Sequence, residues 1–346
     1  MKKILMTAFV AVLGVCGAQA QSSVIALLSH EGNVTTFNGA TALQKAHEAA
    51  VNGDVITLSS GTFHSVDITK GVTVRGAGML PDTLMGTEPT VVSGNFTFNM
   101  EEAGDSAAVA FEGIQFNSDK ISTVYANNVT FNKCIIHTIG YTNSYGRDIM
   151  NNLTFIHCRI WGSISMAVNG NAICRNCYVN TPSSYDGSSS NYDFDHCVIN
   201  TTDPDGLKTS IIKNSIFLDR YTTYDGYRLP STNTVSYTLG FCYRANVKPF
   251  VNITTATCWT VAPADISTIF KTYTGTYDNY ETFELTDSAA TTYIGSDGTQ
   301  IGLYGGSTPY TPTPSISGLQ VTKFQVAPKS NSEGKLSIDI EVKTAE

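Results

Sequence analysis

Five short segments of this chain share one pattern, and that pattern leaves few folds open. They read FNKCII at 131–136, FIHCRI at 155–160, CRNCYV at 174–179, FDHCVI at 194–199 and IKNSIF at 212–217. The four cysteines that align, Cys134, Cys158, Cys177 and Cys197, are separated by 24, 19 and 20 residues, and Ser215 follows after 18. A sixth copy, FEGIQF at 111–116, lies 20 residues upstream of the first. A period near 20 built from short alternating apolar stretches is that of a parallel β-solenoid, whose turns stack at about 4.8 Å. Helical repeats are longer, about 33 to 47 residues, and need helix formers that this chain lacks. The aromatic, the Cys and the residue two after it should point inward, with a two-residue bend between aromatic and Cys. Stacking then aligns Ile114, Cys134, Cys158, Cys177, Cys197 and Ser215 in one interior column, which suits cysteine as a small hydrophobe.

Composition agrees. Charged residues are only 14% of the chain, against 42% hydrophobic, with 29 Gly and 17 Tyr, which excludes coiled coils and helical bundles. The formal charge of −8 speaks against nucleic acid and anionic membrane as partners. Residues 1–20 read as a signal peptide, with Lys2 and Lys3 before an apolar stretch from Ile4 to Val15 and Ala18-Gln19-Ala20 before the cut. A lipoprotein alternative would use Cys16, but Val15 is bulky for the position before it. No later stretch approaches the roughly 20 apolar residues of a membrane helix. The expected location is therefore extracellular, cell-surface or periplasmic.

Seven cysteines then remain, so at least one thiol stays free in an oxidising compartment. Cys174 and Cys177 form a CxxC, yet each occupies a repeat position that other copies fill with Phe and with Cys or Ser. Core packing explains them better than redox or zinc chemistry. Cys242 and Cys258 fall outside the repeat as read here and are the first choice if a disulfide exists.

Upstream, Thr41 to Gly53 carries an N-cap candidate in Thr41, apolar residues at Leu43, Ala46 and Ala50, and an Asn-Gly stop, the marks of a short amphipathic helix. Such a helix is the expected cap for a solenoid's first rung. The run Val51-Asn52-Gly53-Asp54-Val55-Ile56-Thr57-Leu58-Ser59-Ser60-Gly61-Thr62-Phe63, followed by Val74-Arg75-Gly76-Ala77-Gly78, resembles the opening of pectin-lyase-like right-handed parallel β-helix proteins. The resemblance covers residues 40 to about 305. It implies an all-β, right-handed parallel β-helix of roughly a dozen rungs, and proteins that act on or bind acidic polysaccharides. It identifies a fold more securely than an activity. The polygalacturonase signatures and the Arg-x-Pro-x-x-Arg of calcium-dependent pectate lyases are missing, and Pro81-Asp82-Thr83-Leu84 only echoes a pectin methylesterase motif.

The remaining acidic constellation is Asp193, Asp195, Asp203 and Asp205, candidate ligands for calcium, with Lys208 and Arg220 as candidate bases for a uronate lyase. Against this, Asp is a good turn former on a solvated surface. His157 and His196 stand just before Cys, where other copies have Lys133, Asn176 and Asn214, so they belong to a polar turn ladder. With His137 they do not make a metal site. Tyr221, Tyr224 and Tyr227, with Tyr141, Tyr145, Tyr237 and Tyr243, lie in polar sequence and are candidates for stacking on sugar rings.

The domain division expected is a signal peptide at 1–20, the β-helix at 21–309, a Pro/Thr linker at 310–316 and a C-terminal β-hairpin at 317–346. The hairpin cannot bury a core alone, so it should dock on the solenoid or on a protein partner. Three functional classes follow: a non-catalytic polysaccharide-binding protein, which is preferred, a calcium-dependent lyase, and a structural or adhesive spacer.

Overall fold

A computed structural model describes residues 24–82, 87–104, 106–117, 120–142, 148–184, 190–201, 207, 209–219, 232–241, 257–275, 281–311, 319–326, 335 and 338–344. The chain is an all-β protein in which, among the described residues, 24 strands join in one hydrogen-bonded network, a parallel β-solenoid. It makes about eight turns rather than a dozen. Residues 263–275 and 281–310 form no rungs and instead lie against the outside of rungs already made.

Three parallel stacks make the walls. The first runs from Val55–Leu58 through Thr73–Arg75 and Asn171–Arg175 to Thr234–Ser236, and the second from Gly61–His64 through Tyr178–Asn180 to Trp259–Val261. A third stack begins at Asp67–Ile68 and, among the described residues, runs as far as Pro182–Ser184. The expected inward register holds. Phe111, Phe131, Phe155, Cys174 and Phe194 form one fully buried column, with Phe131 and Phe155 stacked at 5.3 Å and 4°. Ile114, Cys134, Cys158, Cys177, Cys197 and Ser215 form the next, all at 0% exposure. These cysteines carry free thiols. Their S–H groups donate to carbonyls, Cys158 to Phe131 O at 3.2 Å and Cys197 to Cys174 O at 3.4 Å, and burial pushes the Cys197 thiol up to about 12. Buried thiols of this kind pack rather than react.

One assignment needs correction. Cys258 does not lie outside the repeat. Leu239 pairs with Trp259 in the second stack, so Thr238 and Cys258 extend the cysteine column by two rungs. Its thiol is free, and Cys242 lies outside the described residues. The 43-residue interval from Ser215 hides the period because Thr238 stands between them.

At the N-terminal end the strand Ile25–His30 pairs antiparallel with Val55–Leu58, and Asn33–Asn38 pairs antiparallel with Ile25–His30. Helix α1, Ala42–Ala49, buries Ala42, Leu43 and Ala46 in the main core. Thr41 is its N-cap residue but makes no side-chain cap bond. The other end is held by Lys70, whose ammonium donates to the carbonyls of His47, Glu48 and Ala50 at 2.7 to 2.9 Å, where the helix dipole favours a cation. The segments Leu319–Val326 and Ile338–Thr344 pair antiparallel as a separate two-stranded sheet.

Candidate functional site

Seven successive rungs turn sharply between the first and second stacks, and in each of them one residue makes that turn. Gly113, Lys133, His157, Asn176, His196, Asn214 and Tyr237 all have φ between 48° and 64°, the left-handed region. Asn and Gly enter it cheaply; Lys and His do so at a cost that neighbouring structure must offset. From Lys133 onward the turn throws each of these side chains outward, one above the next.

Residues 294–310 run back along the outside of the solenoid and take hold of this ladder in reverse order. His157 Nε2 lies 2.8 Å from the Thr308 carbonyl, and Asn176 Nδ2 donates to the carbonyls of Leu303 and Gly305, both at 2.8 Å. His196 Nε2 lies 3.2 Å from Thr299 Oγ1, and Asn214 Oδ1 accepts from the Ser296 N–H at 2.8 Å. Gly305 is required here, since a Cβ would stand 2.5 Å from the His196 ring and closer still to a backbone oxygen. The polar turn ladder is therefore a fastening for the returning chain.

Under the same segment lies an outward row that would otherwise face water. Ile135, Tyr178, Val198, Ile216 and Leu239 are all 3% exposed or less, packed with Ile269, Phe270, Phe283, Leu285, Ile301 and Leu303 in a second core outside the solenoid. Arg159 sits in this row too, its Nε donating to Tyr310 Oη at 3.2 Å and its guanidinium reaching the Glu281 carbonyl.

Asp193 and Asp195 leave the first stack side by side, outward as expected, and each meets a cation or a donor. Arg175 pairs with both oxygens of Asp193 at 2.6 and 3.1 Å. Asp195 receives His196 Nδ1 and Asn214 Nδ2, each at 2.9 Å, with Lys213 at 3.3 Å. Burial works to raise the Asp195 pKa, but the bonds from His196 and Asn214 and the charges of His196 and Lys213 outweigh it and hold the carboxyl well below its usual range. Asp203, Asp205, Lys208, Arg220, Tyr221, Tyr224 and Tyr227 lie outside the described residues, as do Tyr145 and Tyr243. Among the described residues no group of three or more His, Cys, Asp or Glu could hold a metal ion.

The order Asp195, His196, Thr299 has the outline of an acid-base relay, which the hydrogen bonds argue against. Thr299 Oγ1 accepts from the Gly306 N–H at 2.7 Å and shares its proton with Asp297 Oδ1 at 2.9 Å, so it is not poised to attack. The network clamps the returning chain to the rung of His196.

The outer face of the third stack is different. Thr97, Ser122, Gly140, Ser165 and Ser183 follow one another on successive strands and form a row of half-exposed hydroxyls around a glycine. Gly140 is obligatory, because a Cβ there would stand 2.9 Å from Ser165 Cβ. Thr138 and Ser163 pair beside the row, and at its flank Lys120 donates to the Tyr141 carbonyl and stands 5.5 Å from that ring's centre. Sequence reasoning missed this row, although its signal was present: small polar residues recur in the segments that follow each Cys copy.

Compared with known proteins, the chain matches no family model, no curated protein and no solved structure.

Proposed function

We propose that this chain is an exported member of the pectin-lyase-like right-handed β-helix group that binds polysaccharide without cleaving it. The observation that carries this reading is the third-stack row of Thr97, Ser122, Ser165 and Ser183, with Tyr141 at its edge. Hydroxyls repeated at the strand spacing of about 4.8 Å offer a periodic set of donors and acceptors to a periodic ligand. An aromatic face beside them can stack on a sugar ring. The row carries little charge, which favours neutral or weakly charged glycans over polyuronates for a chain of net charge −8.

A calcium-dependent lyase is supported less well, because Asp193 and Asp195 are already engaged by Arg175, Lys213, His196 and Asn214. Titration calorimetry against a panel of soluble neutral and acidic polysaccharides, with and without calcium, tests the reading. Binding with no release of unsaturated product is expected, and Ser122→Asp with Ser165→Asp should abolish it. Product formation would move the protein to the lyase class, and no binding across the panel would leave the spacer class.

A further inference from the structure

The two ends of this chain carry complementary deficits in strand pairing. At the N-terminal end the last strand of the 24-stranded network is Asn33–Asn38, and among the described residues it pairs only with Ile25–His30. The phase of that pairing is fixed by the Gly39 N–H, which donates to the Val24 carbonyl at 2.9 Å. In an antiparallel ladder the bonded pairs alternate, so Asn33, Thr35 and Phe37 bond inward while the N–H and C=O groups of Val34, Thr36 and Asn38 point out of the sheet. Among the described residues no strand covers this edge. Its sequence, NVTTFN, has no Lys, no Pro and no charge, its register with the neighbouring strand is unbroken, and Val34 is 61% exposed. Natural sheets blunt such edges with charge, proline or bulges.

At the other end, Leu319–Val326 and Ile338–Thr344 form a sheet with no third strand among the described residues. A two-stranded sheet alone is marginal in water and needs another strand or a packing surface. The second strand alternates cleanly, with Ile338, Ile340 and Val342 at one parity and Asp339, Glu341 and Lys343 at the other.

We infer that the C-terminal strand pair of one molecule adds to the Asn33–Asn38 edge of a second copy, so that the protein assembles head to tail by β-augmentation. An uncharged edge accepts the mixed-charge strand without like-charge opposition, and main-chain hydrogen bonds supply the contact. Because the two surfaces differ, the contact is heterologous, and repeated addition makes chains rather than closed dimers.

Light scattering coupled to size exclusion on the full chain, and on two full-length variants, tests this. Thr36→Pro removes an outward donor while leaving the inward bonds intact, and Ile340→Pro breaks the donor pair. Mass should rise with concentration for the parent chain, and each variant alone should stay monomeric. An equimolar mixture of the two should give a species of twice the monomer mass, since each supplies what the other lacks. Val34→Lys, which charges the edge without touching the backbone, should act as Thr36→Pro does. A monomeric parent chain, continued association of either variant alone, or a mixture that stays monomeric would each overturn the inference.

Discussion

The second and third stacks come from the same repeating turn, yet their outer faces have opposite chemistry. Outward positions of the second stack read Ile135, Arg159, Tyr178, Val198 and Ile216 and are buried; those of the third read Thr97, Ser122, Gly140, Ser165 and Ser183, and all but the glycine are half exposed. An outward column in a solenoid is thus apolar or polar according to what covers it. Residues 263–275 and 281–310 cover one face, and among the described residues the other keeps its hydroxyls half exposed.

The largest test of that contrast places one charge on each face. Val198→Asp should cost more than about 4 kcal/mol in denaturant unfolding, because an ionised carboxylate would be trapped beneath the returning chain. Ser165→Asp, equally outward, should change stability by no more than about 0.5 kcal/mol, while removing polysaccharide binding. Equal costs at the two sites would mean that the second-stack face is not covered in solution.

A smaller effect should follow from loosening the fastening without disturbing the turn. Asn176→Gly keeps the left-handed backbone but removes two bonds to the carbonyls of Leu303 and Gly305, one of them in each half of the Gly302–Gly306 turn. A loss of about 2 kcal/mol is expected, with faster hydrogen exchange in residues 295–310 than in the stacked strands. Uniform acceleration across both would show that segment and solenoid unfold as one unit.

Acid should give the smallest and most local change. Burial lowers the His157 pKa below its usual 6.5 more than the Thr308 carbonyl raises it. Its folded pKa lies below its unfolded one, so its contribution is complete above about pH 6.5 and declines as the pH falls through the folded value. Asp195 and Asp297, both held below 3.8, act in the same direction at lower pH, where their stabilisation is lost as they protonate. Hydrogen exchange at mildly acidic pH should therefore quicken in residues 303–310 first, with His157→Gln flattening that dependence. The charge of Lys133 lowers the His157 pKa further, so Lys133→Gln should shift the transition upward.

Much of the fold was legible because Phe131, Cys134 and their counterparts meet only their own repeats. The aromatic and cysteine columns, the rung period and helix α1 could be read from spacing alone. The candidate site was less so. Asp193 and Asp195 were located on the correct outward face, but nothing local announced that Arg175, Lys213 and Asn214 engage them from adjacent rungs. Cys258 was misplaced because one rung uses Thr238 where the pattern had taught Cys or Ser.

What the sequence determined by itself was everything facing inward, since an interior column is enclosed by neighbours about 20 residues away that carry the same pattern. Only the tertiary structure decided the outward columns. His157 is bound by Thr308, 151 residues along the chain, and Asn176 by Leu303, 127 residues along. No periodicity in either segment encodes that meeting; it follows from where the returning chain lies, and that depends on apolar surface that becomes contiguous only after the rungs have stacked.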